Sequence, residues 1–210
     1  MSLEYQVNVD QQLAAIRQRL GALEGEAETV LKAAIRQTAN AVRKRMLDTA
    51  RERYAEQDPS LLANKALKLS QKGDGMTVTL RAHGAANDLA KFEHQPGPGV
   101  RAPVSAHVLA ENALKQIGGQ PKPFTATFRN GKIAILRRVP GETYRSGRAY
   151  AARKLLGWDL TRVEKLVTVS TPQMLHSDEA VDAAYAQFSN DLPAAIEKQI
   201  AKILKKGASA

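Results

Sequence analysis

Residues 123–141, PFTATFRNGKIAILRRVPG, constrain the fold more than any other stretch of this chain. Two apolar runs flank Asn130-Gly131, the strongest short-range hairpin signal a sequence carries, because a two-residue type I′ loop needs positive φ at both positions. A two-residue loop sets the register: Arg129 opposes Lys132, Phe128 opposes Ile133, Ala126 opposes Ile135 and Phe124 opposes Arg137. Phe124, Ala126, Phe128, Ile133 and Ile135 then share one packing face, with Thr125, Thr127, Ala134 and Leu136 behind them. An antiparallel sheet is therefore expected in the middle of the chain.

Helices are expected on either side of it. Leu3, Tyr5, Val7 and Val9 alternate with polar residues as in a half-buried strand. Asp10 can then cap a short helix with Leu13, Ile16, Leu20 and Leu23 on one face. A longer helix is expected from about Glu26 to Tyr54. Its stripe is Leu31, Ile35, Val42 and Met46, bordered by Ala34, Thr38, Ala41 and Thr49. Asp58-Pro59 restarts the chain, and Leu61 to Leu69 reads as a short helix, or as a helix leading into a strand. Gly73-Asp74-Gly75 marks a turn, after which Met76, Val78 and Leu80 alternate as a strand. Gln95 to Gly99 reads as a loop tip, Val104 to Leu109 as a strand, and Gly118 to Pro123 as a second loop. Residues 140–161 read as a long loop with one short helix. A strand from Val163 to Val169 precedes a terminal helix, opened by Ser177, Asp178 and Glu179 and running in phase across Pro193 from Val181 to Leu204.

The sum is an α+β domain: a central antiparallel sheet with a long N-terminal and a long C-terminal helix on one side. No composition break marks a boundary, so residues 1–210 are expected to form one domain. Within it lie the N-terminal strand and helices (1–70), the sheet with its basic hairpin and loop (75–170), and the kinked C-terminal helix (177–206).

Charge narrows the function. The chain carries +10 at pH 7, and between Gln120 and Lys165 eleven Lys or Arg face three acids, a local net of +8. Such an excess calls for an anionic partner. Arg137, Arg138, Arg145, Arg148, Arg153 and Lys154, with Tyr144 and Tyr150 between them, have the composition of a phosphate-contacting surface with stacking partners. The Arg43-Lys44-Arg45 cluster lies on a helix surface, where such charges are routine.

Catalytic chemistry finds little support. The chain has no cysteine, which removes disulfides, thiolate nucleophiles and Cys-based zinc sites. His83, His94, His107 and His176 fall in no metal-ligand spacing, and no Walker, GxGxxG or GxSxG motif occurs. Glu93-His94 is a candidate acid–base pair that reads more simply as a polar loop; a pocket lined by His83, Glu93 and His107 would revive an enzyme. No cofactor, metal or catalytic residue is therefore expected. The opening MSLEYQVNVD has neither the basic nor the apolar region of a signal peptide. No run approaches the ~18 apolar residues of a membrane span, so no membrane partner is expected.

The order of elements resembles the minor tail protein Z, or tail completion, family of long-tailed bacteriophages, within a broader group of neck proteins. Three anchors carry the resemblance: YQVNVDQQLAAIRQRL followed by VLKAAIRQTANAVRKRML; the hairpin FTATFRNGKIAILRRVPG; and Leu160 to Leu175 (LTRVEKLVTVSTPQML) followed by the helix Val181 to Leu204. Residues 141–160 depart from it, being longer than the family's connection to the last strand. The resemblance implies a non-catalytic virion protein, assembled in the host cytoplasm. It would form a ring, six-fold about the tail axis, at the head-proximal end of the tail. Implied partners are copies of itself, tail terminator and tail tube proteins, head–tail connector proteins, and phage DNA through nonspecific contacts. The competing reading is a nonspecific DNA-binding protein.

Overall fold

The computed structural model describes residues 2–5, 9–71 and 75–207, with side chains from residue 10 on. The expected turn at Gly73-Asp74 lies outside the described residues, as does the Gln6–Asn8 end of the first strand. Helices and antiparallel strands are mixed along the chain, as the α+β reading anticipates. Contacts cluster into two compact units, one formed by residues 1–52, 60–84 and 171–210, the other by residues 53–59 and 85–170.

The first unit holds the long helices. β1 (Ser2–Tyr5) is followed by α1 (Val9–Leu20), a 3₁₀ stretch (Gly21–Glu26) and α2 (Ala27–Arg53). β2 (Leu67–Gln71) and β3 (Val78–Ala82) complete a three-stranded antiparallel sheet in the order β1-β3-β2. The short α4 (Thr171–Leu175) leads into α5 (Asp178–Gly207), which runs unbroken across Pro193. The Ser177 hydroxyl accepts the Ala180 N–H at 3.4 Å, and the Asp178-Glu179 acids sit next at the positive end of the helix dipole. The 3.6-residue stripes meet where the patterning places them. Ile16, Leu20, Leu31, Ile35, Leu192, Ile196 and Ile200 are all buried in one cluster, with Val78 from the sheet.

The second unit is built from small sheets. β4 (Ala86–Asp88) pairs with β11 (Val167–Ser170), and β5 (His94–Gln95), β6 (Ser105–Ala106) and β7 (Lys115–Gln116) form another ladder. The third sheet, in the order β10-β9-β8, contains the hairpin: β8 (Phe124–Thr127), β9 (Ile133–Thr143) and β10 (Thr161–Lys165). The nine-residue α3 (Gly147–Leu155) lies between β9 and β10.

Four expectations need correction. Among the described residues the strands form four small sheets, and in the first unit the terminal helices pack against β2 and β3. Residues 96–123 carry five prolines, Pro96, Pro98, Pro103, Pro121 and Pro123, none of which can donate to a ladder. The strand expected at Val104–Leu109 accordingly shrinks to Ser105–Ala106. The strand expected at Val163–Val169 divides at Leu166: its N–H bonds to the Ile135 carbonyl and its carbonyl accepts the Leu89 N–H, both at 2.9 Å, so the chain passes from one sheet to the next.

The fourth correction is the hairpin register. Phe124 opposes Leu136, Thr125 opposes Ile135, Ala126 opposes Ala134 and Thr127 opposes Ile133, one residue away from the two-residue-loop pairing. Phe128 N–H donates to the Lys132 carbonyl at 2.7 Å and Gly131 N–H to the Phe128 carbonyl at 2.8 Å. These bonds define a three-residue loop with Gly131 at φ 78°, and no residue other than glycine has positive φ among the described residues. One residue of slip exchanges the faces. Phe124 and Phe128 therefore stand with Ala134 and Leu136, while Ile133 and Ile135 stand with the threonines. Ile135 is buried, but Phe128 and Ile133 are 40% and 41% exposed, so the four residues Phe124, Phe128, Ile133 and Ile135 form no common packing face.

Candidate functional site

The site grows out of β9. Its ladder to β10 pairs Lys165 with Leu136, Glu164 with Arg137 and Val163 with Arg138, and then jumps to Thr161 opposite Thr143. Four residues, Val139 to Glu142, bulge out of the ladder there, and a bulge re-aims the chain beyond it. Beyond this bulge the chain forms an arm, residues 140–160, carrying α3. No residue from Pro140 to Leu160 is buried.

Because the arm has no core of its own, polar contacts at its root hold it. Asp159 is the centre. Its carboxylate accepts the Thr161 N–H at 2.8 Å and the Thr161 hydroxyl at 2.7 Å, and it pairs with Arg138; its carbonyl accepts Arg153 Nη1 at 2.6 Å. The Thr161 N–H and hydroxyl, with help from Arg138 and Arg153, hold the Asp159 carboxyl below its ordinary pKa. Tyr144 N–H bonds to the Leu160 carbonyl at 2.8 Å, and the Tyr144 hydroxyl accepts the Val163 N–H at 3.3 Å. The Arg153 guanidinium lies 5.2 Å from the Tyr144 ring centre, and Arg162 pairs with Glu142.

The six cations expected to meet an anionic partner therefore separate into two groups. Arg137, Arg138 and Arg153 are held by hydrogen bonds or ion pairs within the second unit. Arg137 Nη2 donates to the Gly118 carbonyl at 3.1 Å, beside Gly119, where a Cβ would come within 3.3 Å of the guanidinium. Arg138 and Arg153 are held by Asp159. Arg145 and Arg148 are exposed and carry no hydrogen bond or ion pair among the described residues. Lys154 is exposed too, its ammonium 5.6 Å from the Tyr150 ring centre.

The arm also presents apolar side chains that the charge pattern alone does not single out. α3 ends in a Schellman motif: Trp158 N–H bonds to the Arg153 carbonyl at 2.8 Å and Gly157 N–H to the Lys154 carbonyl at 3.3 Å, with Gly157 at φ 65°. The motif fixes Leu155, Leu156 and Trp158, which are 86%, 54% and 60% exposed. The signal is present as LLGW inside a basic stretch, where two leucines and the chain's one tryptophan have no sequence neighbours to bury them.

One other group of titratable side chains comes together in the second unit. His107 Nε2 lies 2.8 Å from Glu93 Oε2, and its Nδ1 meets the Asn112 carbonyl, beside a cleft of about 500 Å³ lined by Arg53, Tyr54, His107, Asn112 and Lys115. Glu93, and then the Asn112 carbonyl, raise the His107 pKa above its ordinary value. Both ring nitrogens face acceptors, an arrangement that suits the imidazolium and leaves no nitrogen free to take a proton from a substrate. His94 Nδ1 lies 2.8 Å from the Phe92 carbonyl and takes no part in this pair. Among the described residues no group of three or more His, Asp or Glu is placed to hold a metal ion. No helix among them is long and apolar enough to cross a membrane.

No protein-family model, curated protein or solved structure matches this chain.

Proposed function

We propose that this chain is a structural, non-catalytic component of a long-tailed phage particle, a ring-forming subunit at the head-proximal end of the tail that helps join tail to head. The observation that carries this reading is the arm. A nine-residue helix is too short to persist alone in water. Here such a helix carries no buried residue, yet its end is latched by Asp159 and its tip displays two leucines and a tryptophan. A surface of this kind gains its stability when a neighbour covers it. The sheets among the described residues are open and end in edge strands, which suits a subunit with neighbours. The order of strand, long basic helix, hairpin and long terminal helix fits the tail completion resemblance. The partners proposed on that basis are copies of itself, tail terminator and tube proteins and connector proteins, six-fold about the tail axis, in the virion.

Negative-stain imaging of the purified protein, together with antibody labelling of whole particles, tests the proposal. Rings of fixed stoichiometry and label confined to the head-proximal tail end are expected. Label on the capsid, or throughout an infected cell but never on particles, would overturn it.

A specific observation supports a second reading, nonspecific binding to duplex DNA. Arg145, Arg148 and Lys154 are exposed on a segment, residues 144–158, that contains no acid. Three phosphate contacts give a log–log salt slope of about −2.7. Binding with that slope, lost in the Arg145→Ser, Arg148→Ser, Lys154→Ser variant, would favour it.

A further inference from the structure

The arm needs a partner that is both apolar and acidic, and the chain carries such a surface itself. Leu166 to Glu197 contains neither Lys nor Arg, the longest such run in the sequence, and it contains Asp178, Glu179, Asp182, Asp191 and Glu197. In the first half of α5 two of them, Asp178 and Asp182, share one face. Asp178, Asp182, Tyr185 and Ser189 succeed one another at helical spacing, and all four are exposed. Tyr185, 51% exposed, is the large apolar side chain of that face. Asp178 and Asp182 carry no ion pair among the described residues.

The arm mirrors this pattern. Arg148, Ala152 and Leu155 recur at the same helical spacing along α3, on the side of the helix opposite Arg153, which the Asp159 latch holds. The presented face thus carries Arg148 in the first turn and Leu155 in the last, with Trp158 fixed just beyond by the Schellman motif. Residues 144–158 carry four cations and no anion; residues 178–192 carry four anions and no cation. Each segment sets charge beside exposed apolar surface, Leu155 and Trp158 on the arm and Tyr185 on α5, and the signs are opposite.

We propose that the arm of one copy docks on the amino-terminal half of α5 of a second copy. Leu155 and Trp158 cover Tyr185, and Arg145 and Arg148 face Asp178 and Asp182. The contact joins two different surfaces, so repeating it either closes a ring or extends a filament. The proposal rests on the ring reading above only for closure; the pairwise contact stands on the two surfaces alone. Opposite charge supplies steering and register, and the burial of Trp158 and the leucines supplies most of the affinity.

Sedimentation velocity of the full chain over a concentration series tests it. The wild type is expected to associate, less so at high salt. Trp158→Ser should raise the dissociation constant about thirtyfold. Arg148→Glu and Asp182→Arg should each raise it several-fold, and the two together should restore it toward the wild type. These positions are exposed, so the thermal midpoint of every variant should match the wild type, which separates lost docking from lost folding. A wild type that stays monomeric up to its solubility limit overturns the proposal, as does a monomer whose arm instead captures duplex DNA. Association untouched by Trp158→Ser and by both charge reversals also overturns it, and in that case rings seen by imaging would leave the ring reading standing with a different subunit contact.

Discussion

Thr38→Val should stabilise the protein, although it deletes a polar group. Thr38 lies on the buried stripe of α2 and is 1% exposed. Its hydroxyl has no hydrogen-bond partner among the described residues. It borders a cavity of about 270 Å³ between α2 and α5, lined by Gln37, Ala41, Asp191, Ala194 and Lys198. Valine keeps the β-branched shape and nearly the same helix propensity, so the substitution changes little except the hydroxyl. A buried, unpaired hydroxyl costs about 1–3 kcal/mol, and a methyl in its place adds roughly 0.8 kcal/mol of apolar burial. Allowing for imperfect packing of the new methyl, the net gain is about 1–2 kcal/mol, or roughly 2–8 °C in Tm for a chain of this length. Thr38→Ser, which keeps the hydroxyl and loses the methyl, should cost about 1 kcal/mol. Differential scanning calorimetry of the three proteins decides the matter. If Thr38→Val melts lower than wild type while Thr38→Ser does not, the hydroxyl has a partner, such as a water in the cavity, and the reasoning fails.

The corrected hairpin, the histidine clamp and the arm latch can each be tested separately. Gly131→Ala should cost about 1–2 kcal/mol because Gly131 alone in the loop has positive φ, whereas Asn130→Ala should cost only about 0.5 kcal/mol for the 3.2 Å bond from Lys132 N–H; equal costs in urea unfolding would restore the two-residue loop. His107 has a raised pKa in the folded protein, so the clamp to Glu93 and Asn112 is at full strength below the ordinary histidine value of about 6.5 and is lost as pH rises through the raised value. Amide exchange in residues 107–112, corrected for its intrinsic pH dependence, should accelerate over that window, and the step should vanish in Glu93→Gln. Asp159→Ala should speed exchange in residues 144–160 while leaving the global Tm within about 1 °C, since it releases an exposed latch and no core. Because the Asp159 pKa is depressed, the latch is present above the ordinary carboxylate range and lost as pH falls through its lowered value.

Much of the first unit was legible because its signals are local and periodic. Ile16, Leu20, Leu31, Ile35, Ile196 and Ile200 announce their faces at helical spacing, and the same residues form the cluster. Ser177, Asp178 and Glu179 announce the start of α5 through capping and dipole. The hairpin was legible in place but not in register. Asn-Gly serves a two-residue loop, and it equally serves a longer loop that needs positive φ only at glycine; the choice rests on whether Phe128 pairs with Ile133 or with Lys132. Burial of Ala134, Ile135 and Leu136 in a row shows why alternation offered no arbiter, since β9 is covered on both faces. The arm was half legible. A run of cations can be counted, but sequence cannot tell the guanidinium of Arg153, turned back to Asp159, from that of Arg148, which faces solvent. Leu155, Leu156 and Trp158 give no surface signal in sequence, because apolar residues ordinarily fill a core in their own chain, and this segment has none. The interleaving of the two units left no mark either, since the chain passes between them at Glu52, Pro59, Gly84 and Ser170 without a linker.

The chain has no cysteine, which makes a direct test of the arm contact simple. Two full-length single-cysteine proteins, Leu155→Cys and Tyr185→Cys, are mixed under mild oxidation and resolved on a non-reducing gel. Docking of the arm on α5 of a second copy predicts a disulfide-linked pair containing one of each, formed faster in the mixture than by either protein alone, and a ladder of closed or extended oligomers from a protein carrying both. Cross-linking no faster in the mixture than in the separate proteins would contradict it.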